Sequence, residues 1–125
     1  MYCYLLVMAG GAVGAALRFG FSRAVPVMAG VWPWATFAAN VLGSLLMGVL
    51  AFWLVRKGAQ GEQVRLLLGV GVLGGFTTFS AFSLEVAQMI ESGQLTMAFG
   101  YAVASVLVAL TALFAGLALA KAVWA

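Results

Sequence analysis

The sequence predicts an all-α membrane protein of four transmembrane helices, the third interrupted near Gly74–Phe79. The whole chain, 1–125, reads as a single transmembrane domain. Three observations predict this. Of 125 residues, 66% are hydrophobic and only 7% are charged, where a soluble domain carries about 25% charged residues. Apolar stretches of about 20 residues, the length that crosses a bilayer, recur four times between charges or turn residues. With four such stretches, little chain is left for a separate soluble domain.

The first helix is expected over about 3–22. It opens on Cys3-Tyr4-Leu5-Leu6-Val7, closes near Arg18 and Arg23, and holds the small-residue pairs Gly10/Gly14 and Gly11/Ala15. Small residues one turn apart let helix backbones approach closely in lipid. No basic residue precedes the apolar run, which argues against a signal peptide. A loop with Pro26 and Gly30 follows. The second helix, about 33–55, starts at Trp32-Pro33-Trp34, where proline suits a first turn and tryptophan the membrane interface. It ends at Trp53 and Arg56-Lys57 and carries two stripes, Ala35/Ala39/Gly43 and Thr36/Asn40/Ser44.

The third helix is expected over about 64–90, after the polar loop Gly58–Gln63. Gly69, Gly71, Gly74 and Gly75 precede Phe76-Thr77-Thr78-Phe79-Ser80-Ala81-Phe82-Ser83. Glycine weakens a helix, and hydroxyl side chains can bond the backbone groups that a break frees. The fourth helix, about 95–120, follows the turn Glu91-Ser92-Gly93-Gln94. It carries Tyr101 and Ser105 one turn apart and ends at Lys121 and Trp124, a snorkelling cation and an interfacial aromatic.

Four crossings place both termini on one side, with Arg56, Lys57, Arg65 and Lys121. The other side holds Arg23, and Arg18 if it reaches water. Such a modest bias is compatible with insertion in both orientations. The basic residues lie at loops and helix ends, a topology signal rather than a nucleic-acid footprint.

The absences narrow the chemistry. There is no His and no Asp, and the only acids are Glu62, Glu85 and Glu91. A Ser-His-Asp triad, a His-based zinc site and an Asp-rich cation site are excluded, and an enzyme is the least favoured class. The single Cys3 forms no intramolecular disulfide.

Several residues could serve an ion path. Asn40, mid-span, reads either as a helix–helix hydrogen bond or as an amide donor lining an anion path; Thr36 and Ser44, one turn either side, favour the second. Phe76, Phe79 and Phe82 recur every third residue, interleaved with Thr77, Thr78, Ser80 and Ser83. Aromatic edges carry partial positive charge. Edges with hydroxyl and amide donors hold a small anion weakly enough to release it, as conduction requires. Carbonyls freed at the break could coordinate a hard cation, water or neighbouring donors. Arg18 reads most simply as snorkelling to the interface, and Glu85 as paired or facing a vestibule. Four thin helices cannot easily enclose a path, so a homo-oligomer is expected, and two antiparallel copies would form an inverted pair.

Three segments resemble motifs of the CrcB/Fluc fluoride channel family. Gly10-Gly11-Ala12-Val13-Gly14-Ala15-Ala16-Leu17-Arg18 is similar to its GGxxGAxxR opening. Thr36-Phe37-Ala38-Ala39-Asn40-Val41-Leu42-Gly43 is similar to TxxxNxxG. Gly74-Gly75-Phe76-Thr77-Thr78-Phe79-Ser80-Ala81-Phe82-Ser83 is similar to GGxTTFSxFS. The order matches, and the resemblance spans the chain. It implies a fluoride-selective channel for passive export across the bacterial inner membrane, built as a dual-topology antiparallel homodimer with two pores. By the same resemblance Phe79 and Phe82 would turn ring edges to fluoride, and Asn40 would be a donor beside them. The backbone carbonyls of Gly74 and Thr77 from both subunits would hold a structural sodium ion (Na+). Arg18 would sit near the vestibule, Ser80 and Thr36 would serve the pathway, and Tyr101 and Ser105 would continue a polar track. The chain departs from the pattern at Ala81, and at Ala109 and Leu113 beyond Ser105.

Two rivals remain. A four-helix dual-topology multidrug exporter needs an intramembrane carboxylate, and the first helix has none, while Glu85 lies in the wrong helix. A non-conducting membrane subunit explains the small-residue stripes but not the polar-aromatic run after the break.

Overall fold

A computed structural model describes residues 1–25 and 32–124. The loop expected at Pro26 and Gly30 lies outside the described residues. Helix α1 is Tyr2–Ala24 and α2 is Trp34–Lys57, with Pro33 as its cap rather than in its first turn. A 3-10 turn, Gly58–Gly61, leads into α3, residues 62–76, and after a break α4 runs Phe79–Glu91. The last helix, α5, is Leu95–Trp124. The predicted third helix is thus two rods, α3 and α4.

Three helical stretches are long and apolar enough to cross a membrane: Tyr2–Ala24, Trp34–Glu91 and Leu95–Trp124. The chain is a multi-pass membrane protein. The 58-residue middle stretch doubles back at Gly58, whose φ of 57° suits glycine alone. Asn40 then meets Thr78 and Gly43 meets Thr77, while Gly69 meets Leu50, so α2 and α3 are antiparallel. Gly10 meets Leu67 and Gly14 meets Val72 and Phe76, so α1 runs parallel to α3. Phe37 shares an aromatic cluster with Tyr101, and Arg56 bonds the Trp124 carbonyl, so α5 runs parallel to α2. Both termini therefore lie at the end that holds the Gly58–Gly61 turn.

Backbone approach holds the rods together. A Cβ on Gly71 would stand 2.7 Å from Gly10 Cα, and one on Gly75 would stand 2.7 Å from the Gly11 carbonyl. Gly48 and Gly116 make the same fit between α2 and α5. Such close packing replaces the hydrophobic effect, which does not drive helices together in lipid. Most of α3, Arg65–Leu73, is π-wound; π segments are rare and often mark functional sites. The turn after α4 ends it cleanly. Gly93, at φ 82°, lets Gln94 N–H reach the Met89 carbonyl (2.8 Å) and Gly93 N–H the Ile90 carbonyl (3.1 Å), the pairing that closes a helix C-terminus. Few side chains are buried; one cluster joins Met89, Ala98 and a fully buried Tyr101, ringed by Trp32, Phe37, Phe82, Val86 and Met97.

Candidate ion pathway

The break falls at Thr77 and Thr78, both extended, between Phe76 and Phe79. Asn40 meets Thr78 there with both ends of its amide. Its Nδ2 donates to the Thr78 carbonyl (3.0 Å), and its Oδ1 accepts from Thr78 N–H (2.8 Å). The Thr78 hydroxyl caps α4 by accepting from Ala81 N–H (3.2 Å), the usual service of threonine at a helix start. Arg18 Nε donates to the Gly75 carbonyl (3.2 Å). Rather than reaching toward water, Arg18 turns inward and ties α1 to the break.

These bonds sort the freed carbonyls. Unbroken helix would pair Gly74 C=O with Thr78 N–H and Thr77 C=O with Ala81 N–H. Asn40 takes the first donor and the Thr78 hydroxyl the second. Among the described residues no other donor reaches either carbonyl. The two oxygens are hard, uncharged and free, a donor set that suits a hard cation such as sodium.

Beside the break an open groove of about 340 Å³ runs between α2 and α5. Asn40, Ser44, Thr77, Thr78, Phe79, Phe82 and Ser105 line it, with Ala109 and Leu113 farther along. No charged side chain lines it. Phe79 is 77% exposed, its ring 5.4 Å from that of Phe82. Phe82 in turn lies 5.3 Å from Tyr101.

The groove therefore brings together Asn40, Phe79, Phe82 and Ser105 of the sequence-predicted pathway residues, along with Thr77. Arg18, Thr36, Ser80, Tyr101 and Gly74 do not line it. Ser80 pairs with the Thr78 hydroxyl (3.3 Å) on the exposed side. Thr36, Glu85, Tyr101 and Ser105 are neighbours. Glu85 Oε1, Tyr101 OH and Ser105 Oγ are buried without a hydrogen-bond partner among the described residues, a costly state unless another group meets them. Glu85, expected to be paired or to face a vestibule, stands beside Tyr101; its charge within a membrane span was the only signal in the sequence. Thr111 donates to the Leu107 carbonyl (2.7 Å) and serves no groove.

The family described as CrcB-like protein, Camphor Resistance (CrcB), matches residues 5–117. A protein of Novosphingobium aromaticivorans, named "Fluoride-specific ion channel FluC", is 56% identical over 120 residues, covering 94% of each chain. Proteins of the same name from Phenylobacterium zucineum and Caulobacter vibrioides are each 54% identical, covering 100% and 97% of both chains respectively.

Proposed function

We propose that this chain, which belongs to the CrcB family, is a fluoride-selective ion channel that lets cytoplasmic fluoride leave the cell passively. The observation that carries the reading is the groove at the break, where Phe79 and Phe82 stand with Asn40 and Ser105 and no charge intervenes. A cationic lining would trap a small hard anion, and an ionised carboxylate in the lining would repel it; Glu85, beside Tyr101, stands outside the lining. Ring edges and neutral donors hold it weakly enough to pass on. The lining offers no acid–base pair, and the protein is a channel rather than an enzyme.

The supporting architecture is four crossings, with the Trp34–Glu91 stretch counted as two because it doubles back at Gly58. Two antiparallel copies complete the path. Phe79, largely exposed on one chain, then faces the partner's groove, and the two breaks meet near the middle of the membrane. The Gly74 and Thr77 carbonyls of both copies would hold a sodium ion, whose charge would offset their dipoles. Asn40 holds the break open, and its second amide hydrogen remains for the anion. Tyr101 and Ser105 continue the path, which ends at Ala109 and Leu113 without further hydroxyls. Thr36 and Ser80 lie one neighbour away from the path, and Arg18 fixes the break from the far side. The protein works in the bacterial inner membrane.

Fluoride efflux from liposomes carrying the purified protein tests the reading. A potassium ionophore clamps the voltage and an ion-selective electrode reads release. Rapid fluoride release without chloride release is expected. Folded protein that releases neither ion overturns the proposal.

A further inference from the structure

A second pocket, of about 280 Å³, lies far from the groove, at the end of the molecule that holds the Gly58–Gly61 turn. It opens between the last turns of α2 and α5 and is lined by Trp53, Arg56, Lys57 and Trp124. Two cations and two indoles meet there. The simplest role for the cations is to cap the two helix C-termini, whose carbonyls carry partial negative charge. Arg56 does this with one donor, to the Trp124 carbonyl. A guanidinium has five N–H donors, so most of its capacity remains. Lys57 makes no hydrogen bond among the described residues; its ammonium lies 5.6 Å from the centre of the Trp53 ring. Among the described residues neither cation has an acidic partner, whereas Arg65 at the same end pairs with Glu62 at 2.7 Å.

The levels of these groups are informative. Trp53 lies one turn, about 6 Å, deeper along α2 than Lys57. Lys57 at the outer level and Trp53 a turn deeper match the order of phosphate and glycerol ester in a lipid headgroup region, and Trp124 walls the site at the level of Arg56. At about 280 Å³ the site is also too large for a lone phosphate.

We propose that Trp53, Arg56, Lys57 and Trp124 form a binding site for the phosphate headgroup of an anionic phospholipid. The two cations receive the phosphate, Trp53 lies beneath them beside the glycerol, and Trp124 walls the site.

Native mass spectrometry of the full chain in detergent tests this, with phosphatidylglycerol and phosphatidylcholine titrated separately. Phosphatidylglycerol should be retained in preference to phosphatidylcholine. In Arg56→Gln/Lys57→Gln its affinity should fall roughly thirty-fold, the factor that two cations contribute near anionic lipid. Arg65→Gln removes a cation from the same end and should change little. Lys57→Gln alone, which leaves the Arg56 cap intact, should give an intermediate loss and serves if the double variant does not fold. Equal retention of phosphatidylglycerol by wild type and Lys57→Gln, or of the two lipids by wild type, would overturn the proposal. So would displacement of the lipid by excess inorganic phosphate, which would make free phosphate the ligand. None of these readouts depends on fluoride flux.

Discussion

At the scale of single residues, Asn40 shows how a polar side chain in a membrane span can do two jobs. Its stripe with Thr36 and Ser44 was legible in the sequence, but its partner was not, because Thr78 lies 38 positions away. The structure gives Asn40 the plainer of its two readings, helix-to-helix hydrogen bonding, and also leaves it in the groove wall. Asn40→Ala should cost about 1–3 kcal/mol, the usual penalty for leaving buried backbone groups unpaired, read as a lowered unfolding temperature in detergent. Asn40→Asp should fold no better, since a carboxylate cannot donate to the Thr78 carbonyl. It should also abolish fluoride flux by setting negative charge beside the anion path. Retained flux in Asn40→Asp would reduce Asn40 to a structural tie. The phenylalanines are tested differently. Phe79→Ile and Phe82→Ile keep apolar bulk but remove the ring edge, so each should cut fluoride efflux about ten-fold while leaving the protein folded, in line with losing about 1.4 kcal/mol of anion stabilisation. Unchanged efflux in both would sink the ring-edge mechanism.

At the scale of elements, the break was legible because glycine and hydroxyl residues crowd one segment. Its place within Gly74–Phe79 was legible too, but its internal order was not. Thr77 and Thr78 are extended because Asn40 and the Thr78 hydroxyl satisfy the donors that a continuous helix would use, and no local pattern encodes that. The π winding of Arg65–Leu73 was equally hidden, since its apolar residues fit an α-helix as well. The small-residue pairs of α1 were legible as a contact surface, yet the sequence could not say which glycine bears the contact. Gly14 lies against the Val72 backbone carbonyl, which cannot move aside, whereas a Cβ on Gly11 would meet nothing within 4 Å. Gly14→Val should therefore destabilise the α1–α3 contact by about 1–3 kcal/mol, the range for forced overpacking. Gly11→Ala should be close to neutral. Thermal unfolding of the two variants side by side checks this, and equal losses would mean that α1 does not seat against α3 as described.

At the scale of the whole molecule, one chain carries a half-open groove, an exposed Phe79 and a basic excess at one end. Arg56, Lys57, Arg65 and Lys121 stand at the end with both termini, against Arg23 at the other, while Arg18 is engaged inside the fold. With Arg18 withdrawn, the contrast is four to one, the larger of the two that the sequence left open. A strict charge count then favours the termini inside, whereas an antiparallel pair needs both orientations. The single exposed Cys3 decides between them. A membrane-impermeant maleimide applied to intact spheroplasts should label about half of the Cys3 population if the chain inserts both ways, and almost none if the positive-inside bias rules. About half labelling, with full labelling after permeabilisation, is the result expected of the antiparallel pair proposed above. Labelling near zero would leave every copy parallel. Each groove would then have to conduct without an inverted partner.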